Sequence, residues 1–286
     1  MLHCVSTTKG VATASTISAR CRTNLEGQVH LVTGSTDGIG RHTATKLAQN
    51  GATVLIHGRS LERVSETVAK IKDVSGNPRI QGYTGDLSSL QQVRQLAEHI
   101  KKDHKSIDVL TNNAGVFENY RKESEDGFEM TWAVNVLAPF LLTSLLVDIV
   151  KSRIVIVSSL SACGSIDFSN LQQEKGYSER GAYALSKLAN QLFSFKLAKL
   201  AKDVTVNCLD PGKVNTKMLL SFRGRVGIEL NNADNEFFTA THPSLSNTTG
   251  KYFVSKAESM GRRVAYDVAT QDKLWAIMEE QTGRKF

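Results

Sequence analysis

The feature that most constrains this chain is an alternation of short β-branched runs with helical segments, which begins at Gln28. Such an alternation is typical of a parallel sheet with helices on both faces, because a crossover helix connects successive parallel strands. The predicted strands are Val29–Thr33, Thr53–His57, Arg79–Tyr83, Val109–Asn112, Ile154–Ser158, Thr205–Leu209 and Tyr252–Val254. The pattern therefore predicts an α/β protein with a doubly wound, seven-stranded parallel sheet.

Apolar residues recur at three- and four-residue steps between these strands, which indicates amphipathic helices. The predicted helices are Gly38–Asn50, Leu61–Val74, Leu90–Asp103, Gly127–Val150 and Ala182–Lys202. Ser60 and Ser88 stand just before two of them, where a hydroxyl oxygen can cap free N–H groups. We expect both serines to be structural.

A glycine-rich turn follows the first predicted strand directly and leads into a helix. Gly34 permits a tight turn, and Gly38 and Gly40 let backbone N–H groups at the helix N-terminus approach a diphosphate. The spacing is GxxxGxG, and glycines also mark ordinary turns. In this strand–turn–helix context we predict a single Rossmann-type domain whose dinucleotide site includes Gly34, Ser35, Asp37, Gly38, Ile39 and Gly40.

The end of the second predicted strand indicates which dinucleotide is bound. A site for the unphosphorylated form usually presents Asp or Glu there to the ribose 2′-hydroxyl. This chain has Arg59, and a guanidinium suits a 2′-phosphate. We therefore favour NADP(H) over NAD(H). Arg59 could instead be a solvated charge at the helix entry, with Glu62 as the nearest carboxylate.

Three further motifs follow in order: Asn112-Asn113-Ala114-Gly115, Ser158-Ser159, and a Tyr-x-x-x-Lys pattern formed by Tyr183 and Lys187. With the glycine turn, they make residues 26–283 resemble the short-chain dehydrogenase/reductase family. The finer similarity, through residues 126–130, 186–190 and 250–254, is to its retinol-dehydrogenase-like branch. The Tyr-x-x-x-Lys pattern alone is common on helix surfaces, so the ordered set carries the resemblance.

The resemblance implies hydride transfer at a carbonyl or hydroxyl carbon, which needs a proton donor for the developing alkoxide. Tyr183 is the implied donor, and Lys187, on the same helix face, is expected to favour its ionised form. Lys187 would also hold the nicotinamide ribose, Ser159 would polarise the substrate oxygen, and Asn135 would support a proton-relay water. Ser159 is preferred to Ser158 because neighbouring strand residues face opposite sides and the family motif uses the second serine. Asn135 could instead be an ordinary polar helix residue.

The same matching implies further cofactor contacts besides Tyr183 and Lys187. Asp86 and Leu87 resemble the adenine-binding pair, although Asp86 could equally be a turn or cap residue. The remaining implied contacts lie beside the adenine ribose and the nicotinamide, and they are Asn113, Ala114, Gly115, Pro211, Gly212, Val214 and Thr216. Pro-Gly is also an ordinary turn signal.

The chain departs from the branch in having Asp210 where histidine is frequent, and Val136-Leu137-Ala138-Pro139 after Asn135. Residues 217–247 occupy the place of the family's substrate lid, and loops of this kind carry specificity. Their apolar side chains favour a small or medium lipophilic substrate or else pack onto the core, and they are Met218, Leu219, Leu220, Phe222, Phe237 and Phe238.

The composition narrows the classes of function and architecture that remain. The net charge of +7 is scattered, without a basic stripe interleaved with aromatics, which disfavours nucleic-acid binding. Four cysteines without a CxxC pair fit a reducing compartment and argue against a metal site. The longest apolar stretch, residues 136–147, is shorter than the ~20 residues of a membrane span. With four prolines and no linker-like run, we expect one domain over residues 26–286.

The first 25 residues contain Lys9, Arg20 and Arg22 but no acidic residue, and they are rich in serine and threonine. This composition resembles a transit peptide and predicts a mitochondrial or plastid matrix protein; a disordered cytoplasmic N-terminus is the alternative. The function expected is that of an NADP(H)-dependent oxidoreductase, and the resemblance admits a homo-oligomer. The rival is a catalytically idle dinucleotide-binding regulator or scaffold, which would be expected to lack Tyr183, Lys187 or Ser159.

Overall fold

The computed structural model describes residues 23–216, residue 220 and residues 227–286. The predicted transit peptide therefore lies outside the described residues except for its last three positions. Met218, Leu219 and Phe222 of the predicted lid also lie outside them. Among the described residues, no helix is both long enough and apolar enough to cross a membrane.

The described residues form one sheet of eight strands, seven of them parallel, in the order β3-β2-β1-β4-β5-β6-β7-β8. The strands are β1 (Val29–Val32), β2 (Thr53–Gly58), β3 (Ile80–Thr84), β4 (Ile107–Asn112), β5 (Val150–Val157), β6 (Thr205–Asp210), β7 (Tyr252–Val254) and β8 (Ala257–Ser259). The order reverses between β1 and β4, and ligands of open α/β sheets bind in the crevice at such a point.

The predicted α/β class and its seven parallel strands are confirmed, and β8 is the addition. It returns antiparallel to β7 through Ser255 and Lys256, which both have positive φ angles. All three β8 residues are exposed, so no apolar alternation marks this strand in the sequence.

Adjacent strand residues belong to different core clusters, which places helices on both faces of the sheet. Leu31 packs in the cluster of Phe140 and Phe193, whereas Val32 packs in the cluster of Leu47. The helices are α1 (Gly38–Gln49), α2 (Leu61–Ser75), α3 (Leu90–Asp103), α4 (Met130–Trp132), α5 (Ala138–Leu146), α6 (Glu179–Leu200), α7 (Asn235–Thr241) and α8 (Val268–Thr282).

The predicted helix Gly127–Val150 is wrong in its continuity and at both ends. It begins at Met130, where the Glu129 carboxylate accepts hydrogen bonds from the N–H groups of Thr131 and Trp132. A π-helical turn, Ala133–Leu137, then separates α4 from α5. Since Pro139 has no N–H to donate to the carbonyl of residue 135, regular α-helical bonding cannot continue here. The segment then enters β5 at Val150, earlier than the predicted Ile154.

Other boundaries also differ from the sequence-based expectation. Helix α6 begins at Glu179, because Ser178 accepts a hydrogen bond from the N–H of Gly181. Ser60 caps α2 as predicted, but Ser89 rather than Ser88 caps α3. Helix α7 lies inside the predicted lid, and α8 was not predicted.

Candidate active site

The glycine turn lies at the carboxyl end of β1, against the turn that follows β4. Gly34 has a φ of 64°, and a Cβ built on it would lie 2.8 Å from Cα of Ala114. The amide of Asn113 donates from Nδ2 to the carbonyl oxygens of Thr33 at 2.7 Å and Gly34 at 3.3 Å. Asn113 therefore braces the glycine turn by joining the ends of β1 and β4.

His57, at the end of β2, holds the glycine turn from its other side. Its Nδ1 accepts a hydrogen bond from the N–H of Gly34 at 3.1 Å, and its Nε2 lies 3.1 Å from the carbonyl oxygen of Gly85. Because Nδ1 is the acceptor, Nε2 carries the proton. Burial lowers the pKa of His57 to about 4, so the ring is neutral near pH 7. No motif marks His57 in the sequence, and its one signal is a histidine that follows the apolar run of residues 54–56.

Three arginines lie around the entrance to the glycine turn. Asp37 caps α1 by accepting a hydrogen bond from the N–H of Gly38. The Arg63 guanidinium lies 3.3 Å from the Asp37 carboxylate, and the Arg41 guanidinium lies 3.8 Å from it. Arg59, the residue predicted from the sequence, is exposed just after β2. Arg63 was missed because its proximity to Asp37 depends on how α1 packs beside α2, whereas Arg41 lies four residues after Asp37 in the helix that Asp37 caps and its spacing was readable from the sequence.

The turn after β3 contains the predicted adenine-side pair. The Asp86 carboxylate accepts hydrogen bonds from the N–H and hydroxyl groups of Ser88 at 2.9 Å and 2.8 Å. Leu87 is buried. The contacts of Asp86 within the chain are thus those of a turn residue, which is the alternative that the sequence left open.

Asn135 lies in the π-helical turn, and its amide faces the segment that follows β4. Its Oδ1 accepts a hydrogen bond from the N–H of Val116 at 2.8 Å, while its Nδ2 donates to the carbonyl oxygen of Val116 and to the hydroxyl of Ser186. A Cβ built on Gly115 would lie 3.4 Å from Asn135 Oδ1 and 3.6 Å from Lys187 Nζ. The absence of a side chain at Gly115 therefore brings Asn135 and Lys187 to the same space.

The two serines after β5 have different partners, as strand alternation predicts. Ser158 is buried and donates from Oγ to the carbonyl oxygen of Lys187 at 2.6 Å. The Ser159 hydroxyl lies on the side of Tyr183, close enough to its phenol to lower the pKa of Tyr183. Ser158 therefore supports α6 from beneath, and Ser159 faces the predicted proton donor.

The electrostatics of Tyr183 differ from the sequence-based expectation. Burial and, after it, the negative charge of Asp210 raise the pKa of Tyr183 to about 12, against a lowering by the Ser159 hydrogen bond. Lys187 Nζ lies over the face of the phenol ring, 5.4 Å from its centroid, and donates to the carbonyl oxygen of Val157 at 3.0 Å. The expected acidification of the phenol is therefore not found. Lys187 is itself buried, which lowers its pKa to about 8.

The loop after β6 borders the site and reaches the glycine turn. Gly212 has a φ of 87°, which favours glycine, and it follows Pro211 in the predicted Pro-Gly turn. Val214 is buried, and the N–H of Thr216 donates to its carbonyl oxygen. A Cβ built on Gly38 would lie 3.4 Å from Cγ2 of Thr216. The predicted nicotinamide-side segment thus lies against the glycine turn.

These residues lie at one edge of the sheet, around the crevice where the strand order reverses. The sequence model for short chain dehydrogenases matches residues 28–225. The chain belongs to this family. Human polyprenol dehydrogenase is 34% identical over 281 residues, covering 90% of this chain and 85% of its own. Mouse retinol dehydrogenase 14 is 35% identical over 291 residues, covering 91% and 87% respectively. The retinol-dehydrogenase-like resemblance is therefore confirmed.

Solved structures show the same fold. A Mycobacterium paratuberculosis protein is 26% identical with a TM-score of 0.76, covering 93% of this chain and 97% of its own. A Shigella flexneri short chain dehydrogenase solved with NADP is 26% identical with a TM-score of 0.69, covering 82% and 100%.

The site of this short-chain dehydrogenase fits a nicotinamide dinucleotide. Helix α1 begins at Gly38, so its first N–H groups face the space where a diphosphate is bound in such folds. Gly38 and Gly115 keep the crevice free of side chains, since an added Cβ would approach Thr216 at Gly38 and Asn135 and Lys187 at Gly115. The turns that follow β1, β3, β4 and β6 would hold the cofactor.

Proposed function

We propose that this short-chain dehydrogenase is an NADP(H)-dependent oxidoreductase that transfers a hydride between the nicotinamide and a carbonyl or alcohol carbon of a small or medium lipophilic substrate. The observation that carries the proposal is the convergence of Asn135, Ser159, Tyr183 and Lys187 beside the glycine turn. A catalytically idle dinucleotide-binding protein would not require this convergence.

In the proposed reaction, bound NADPH supplies the hydride for carbonyl reduction. Ser159 donates a hydrogen bond to the substrate oxygen, and Tyr183 gives its phenolic proton to the developing alkoxide. Burial raises the pKa of Tyr183 further above neutrality, so the phenol carries the proton that the alkoxide would receive. Lys187 would bind the nicotinamide ribose, and Asn135, held by Val116, would position a relay water.

The preference for NADP(H) rests on the positive charge near the 2′ position of the ribose. Arg59 is exposed there, and the guanidinium of Arg63 neutralises the Asp37 carboxylate that would otherwise repel a phosphate. The Shigella flexneri and Escherichia coli relatives solved with NADP and NADPH support this preference.

The cofactor preference is tested with Arg59→Asp. We expect the ratio of kcat/KM with NADPH to that with NADH to fall by about tenfold or more, since a phosphate contact becomes a ribose-hydroxyl acceptor. Lys72→Asp, at the far end of α2, is the control and should leave the ratio unchanged. An unchanged ratio in Arg59→Asp would remove Arg59 from the proposal.

A lipophilic substrate is supported by apolar side chains beside the proposed proton donor. The Phe117 ring packs against Tyr183 with centroids 5.5 Å apart. Leu160, next to Ser159, is 55% exposed, and Ile228, beside the Pro-Gly turn, is 44% exposed. The curated relatives are named for polyprenol and retinol, which are lipophilic alcohols.

The experiment that tests the function is turnover of the full chain over aldehydes and ketones of increasing chain length, with NADPH and with NADH. We expect NADPH oxidation with kcat/KM rising as the apolar chain lengthens. Tight NADPH binding without turnover of any carbonyl, and without oxidation of the corresponding alcohols, would instead support the idle scaffold.

A further inference from the structure

The loop that carries Ser159, residues 159–162 and here called the serine loop, is held by two side chains outside the predicted catalytic set. The buried Asp210 carboxylate accepts hydrogen bonds from the N–H of Leu160 at 2.7 Å and from the N–H of Gly212 at 2.8 Å. The Arg262 guanidinium donates from Nε to the carbonyl oxygen of Ala162 at 2.6 Å and from Nη2 to that of Leu160 at 2.7 Å.

The bonds within the serine loop are short-range and close one turn. The Ser159 hydroxyl accepts a hydrogen bond from the N–H of Ser161, and the N–H of Ala162 donates to the carbonyl oxygen of Ser159. These bonds shape the turn, and the N–H of Cys163, directly after it, joins its end to the carbonyl oxygen of Ala184 in α6. Asp210 links the serine loop to the Pro-Gly turn, and Arg262 links it to the segment after β8.

Arg262 is itself hydrogen-bonded to the middle of α6. Its backbone N–H donates to Oε1 of Gln191 at 2.7 Å, and Nε2 of Gln191 donates to the Ser158 hydroxyl at 3.2 Å. Ser158 in turn donates to the backbone of Lys187. One hydrogen-bonded path therefore runs from the C-terminal segment to both the serine loop and the helix that bears Tyr183.

We propose that Asp210 and Arg262 are positioning residues that clamp the serine loop from opposite sides and so keep the Ser159 hydroxyl aligned with the Tyr183 phenol. The proposal rests on the proposed function for its catalytic consequence. Groups that share a substrate oxygen must be held within a fraction of an ångström, so loosening the clamp should lower the rate of the chemical step.

Asp210 has a second effect that Arg262 lacks, which separates the two residues experimentally. Its negative charge disfavours ionisation of Tyr183, while Lys187 is the other charged group against the phenol within the part of the chain that the structure describes. Replacing the carboxylate by an amide should lower the pKa of Tyr183. The limb of the pH–rate profile that belongs to Tyr183 should therefore move to lower pH in Asp210→Asn and stay in place in Arg262→Met.

The test compares Asp210→Asn and Arg262→Met with the matched controls Asp203→Asn and Arg263→Met, which change exposed residues near the same strand and in the same segment. Hydrogen–deuterium exchange of peptides covering the serine loop is measured first, because it does not depend on activity. We expect severalfold faster exchange in the two clamp variants and wild-type exchange in the controls. Arg262→Lys, which can keep one of the two bonds, should be intermediate.

Kinetic measurements on the same variants test whether loosening the serine loop slows carbonyl reduction. We expect kcat for carbonyl reduction to fall about tenfold to a hundredfold in both variants. The Kd for NADPH should stay within twofold of wild type in Arg262→Met, because only Asp210 also holds the Pro-Gly turn that would contact the cofactor. If the wild type reduces carbonyls and the serine loop exchanges normally in both folded clamp variants, the clamp is overturned while the proposed function stands. If the wild type turns over no substrate, the proposed function fails, and the exchange data alone decide whether the clamp exists.

Discussion

The turns after β1 to β4, here called the cofactor side, and the loops after β5 and β6, which lie by Tyr183 and the predicted nicotinamide position, form the two sides of one crevice but are built differently. The cofactor side consists of glycines, backbone groups and braces such as Asn113, which lie in recognisable motifs. The catalytic side contains motif residues too, yet Ser159 is held by Asp210 and Arg262, which belong to no motif and are 50 and 102 residues away from Leu160 in the chain.

Long-range contacts hold both sides, such as the one between Asn113 and Thr33 on the cofactor side. The difference teaches that the residues bracing the glycine turn lie mostly in motifs that the sequence displays, whereas the residues that hold the serine loop do not. In electrostatics the two sides are alike, because burial favours the neutral form of a titratable group on each. On the cofactor side burial keeps His57 neutral, and on the catalytic side burial keeps the Tyr183 phenol protonated. We therefore expect substitutions on the two sides to separate cofactor affinity from turnover.

The largest separation is expected for Tyr183→Phe. The ring that packs against Phe117 remains and only the proton donor is lost, so kcat should fall by about 10²–10⁴-fold with an unchanged Kd for NADPH. Stopped-flow reduction and NADPH fluorescence titration measure the two quantities. Full activity in this variant would remove Tyr183 as the donor.

Glu236→Gln tests a contact between the two sides, because Glu236 of α7 is fully buried and accepts a hydrogen bond from Thr43 of α1. Burial raises its pKa to about 7, above the ordinary value of 4.5, so native stability falls as pH rises between these values. Glutamine cannot ionise, so the variant should exceed wild-type stability at pH 8 by up to about 3 kcal/mol.

Urea unfolding at pH 5 and pH 8 measures the effect of Glu236→Gln, with exposed Glu66→Gln as the control. Equal pH slopes for the variant and the wild type would mean that Glu236 does not titrate in this range.

Gly40→Ala should damage the cofactor side alone. An added Cβ would lie 2.7 Å from the carbonyl oxygen of Gly34 and would also meet the Asn113 amide, so the glycine turn must shift. Overpacking of this kind costs about 1–3 kcal/mol, and we expect the Kd for NADPH to rise about tenfold or more. Gly164→Ala, where an added Cβ meets nothing within 4 Å, is the control. Unaltered NADPH affinity would contradict the close approach.

The smallest effect is expected for His57→Leu, which leaves the N–H of Gly34 and the carbonyl of Gly85 without their partner. An unpaired buried group costs about 1–3 kcal/mol, and we expect part of this as a severalfold rise in the Kd for NADPH with kcat unchanged. Isothermal titration and saturating-NADPH kinetics measure both. A fall in kcat at unchanged affinity would break the separation between the two sides.

The sequence by itself determined the seven parallel strands, the glycine turn and the order of the site motifs, because each depends on residues close together in the chain. Helix α8 was missed although Asp267 caps it and Gly283 ends it in the left-handed conformation, both of which are readable signals. The continuity of the helix through Asn135 was predicted wrongly because the effect of Pro139 on the preceding turn, Ala133–Leu137, which is π-helical, was not foreseen.

Only the tertiary structure decided how the site is held and charged. Strand β8, the Asp210–Arg262 clamp and the approach of Arg63 to Asp37 join parts of the chain that no periodic pattern connects. The direction of the Tyr183 pKa shift likewise depended on burial and on Asp210, which outweigh the effect expected of a lysine four residues away. Desolvation is a property of the whole packed environment, so it cannot be derived from the spacing of two residues.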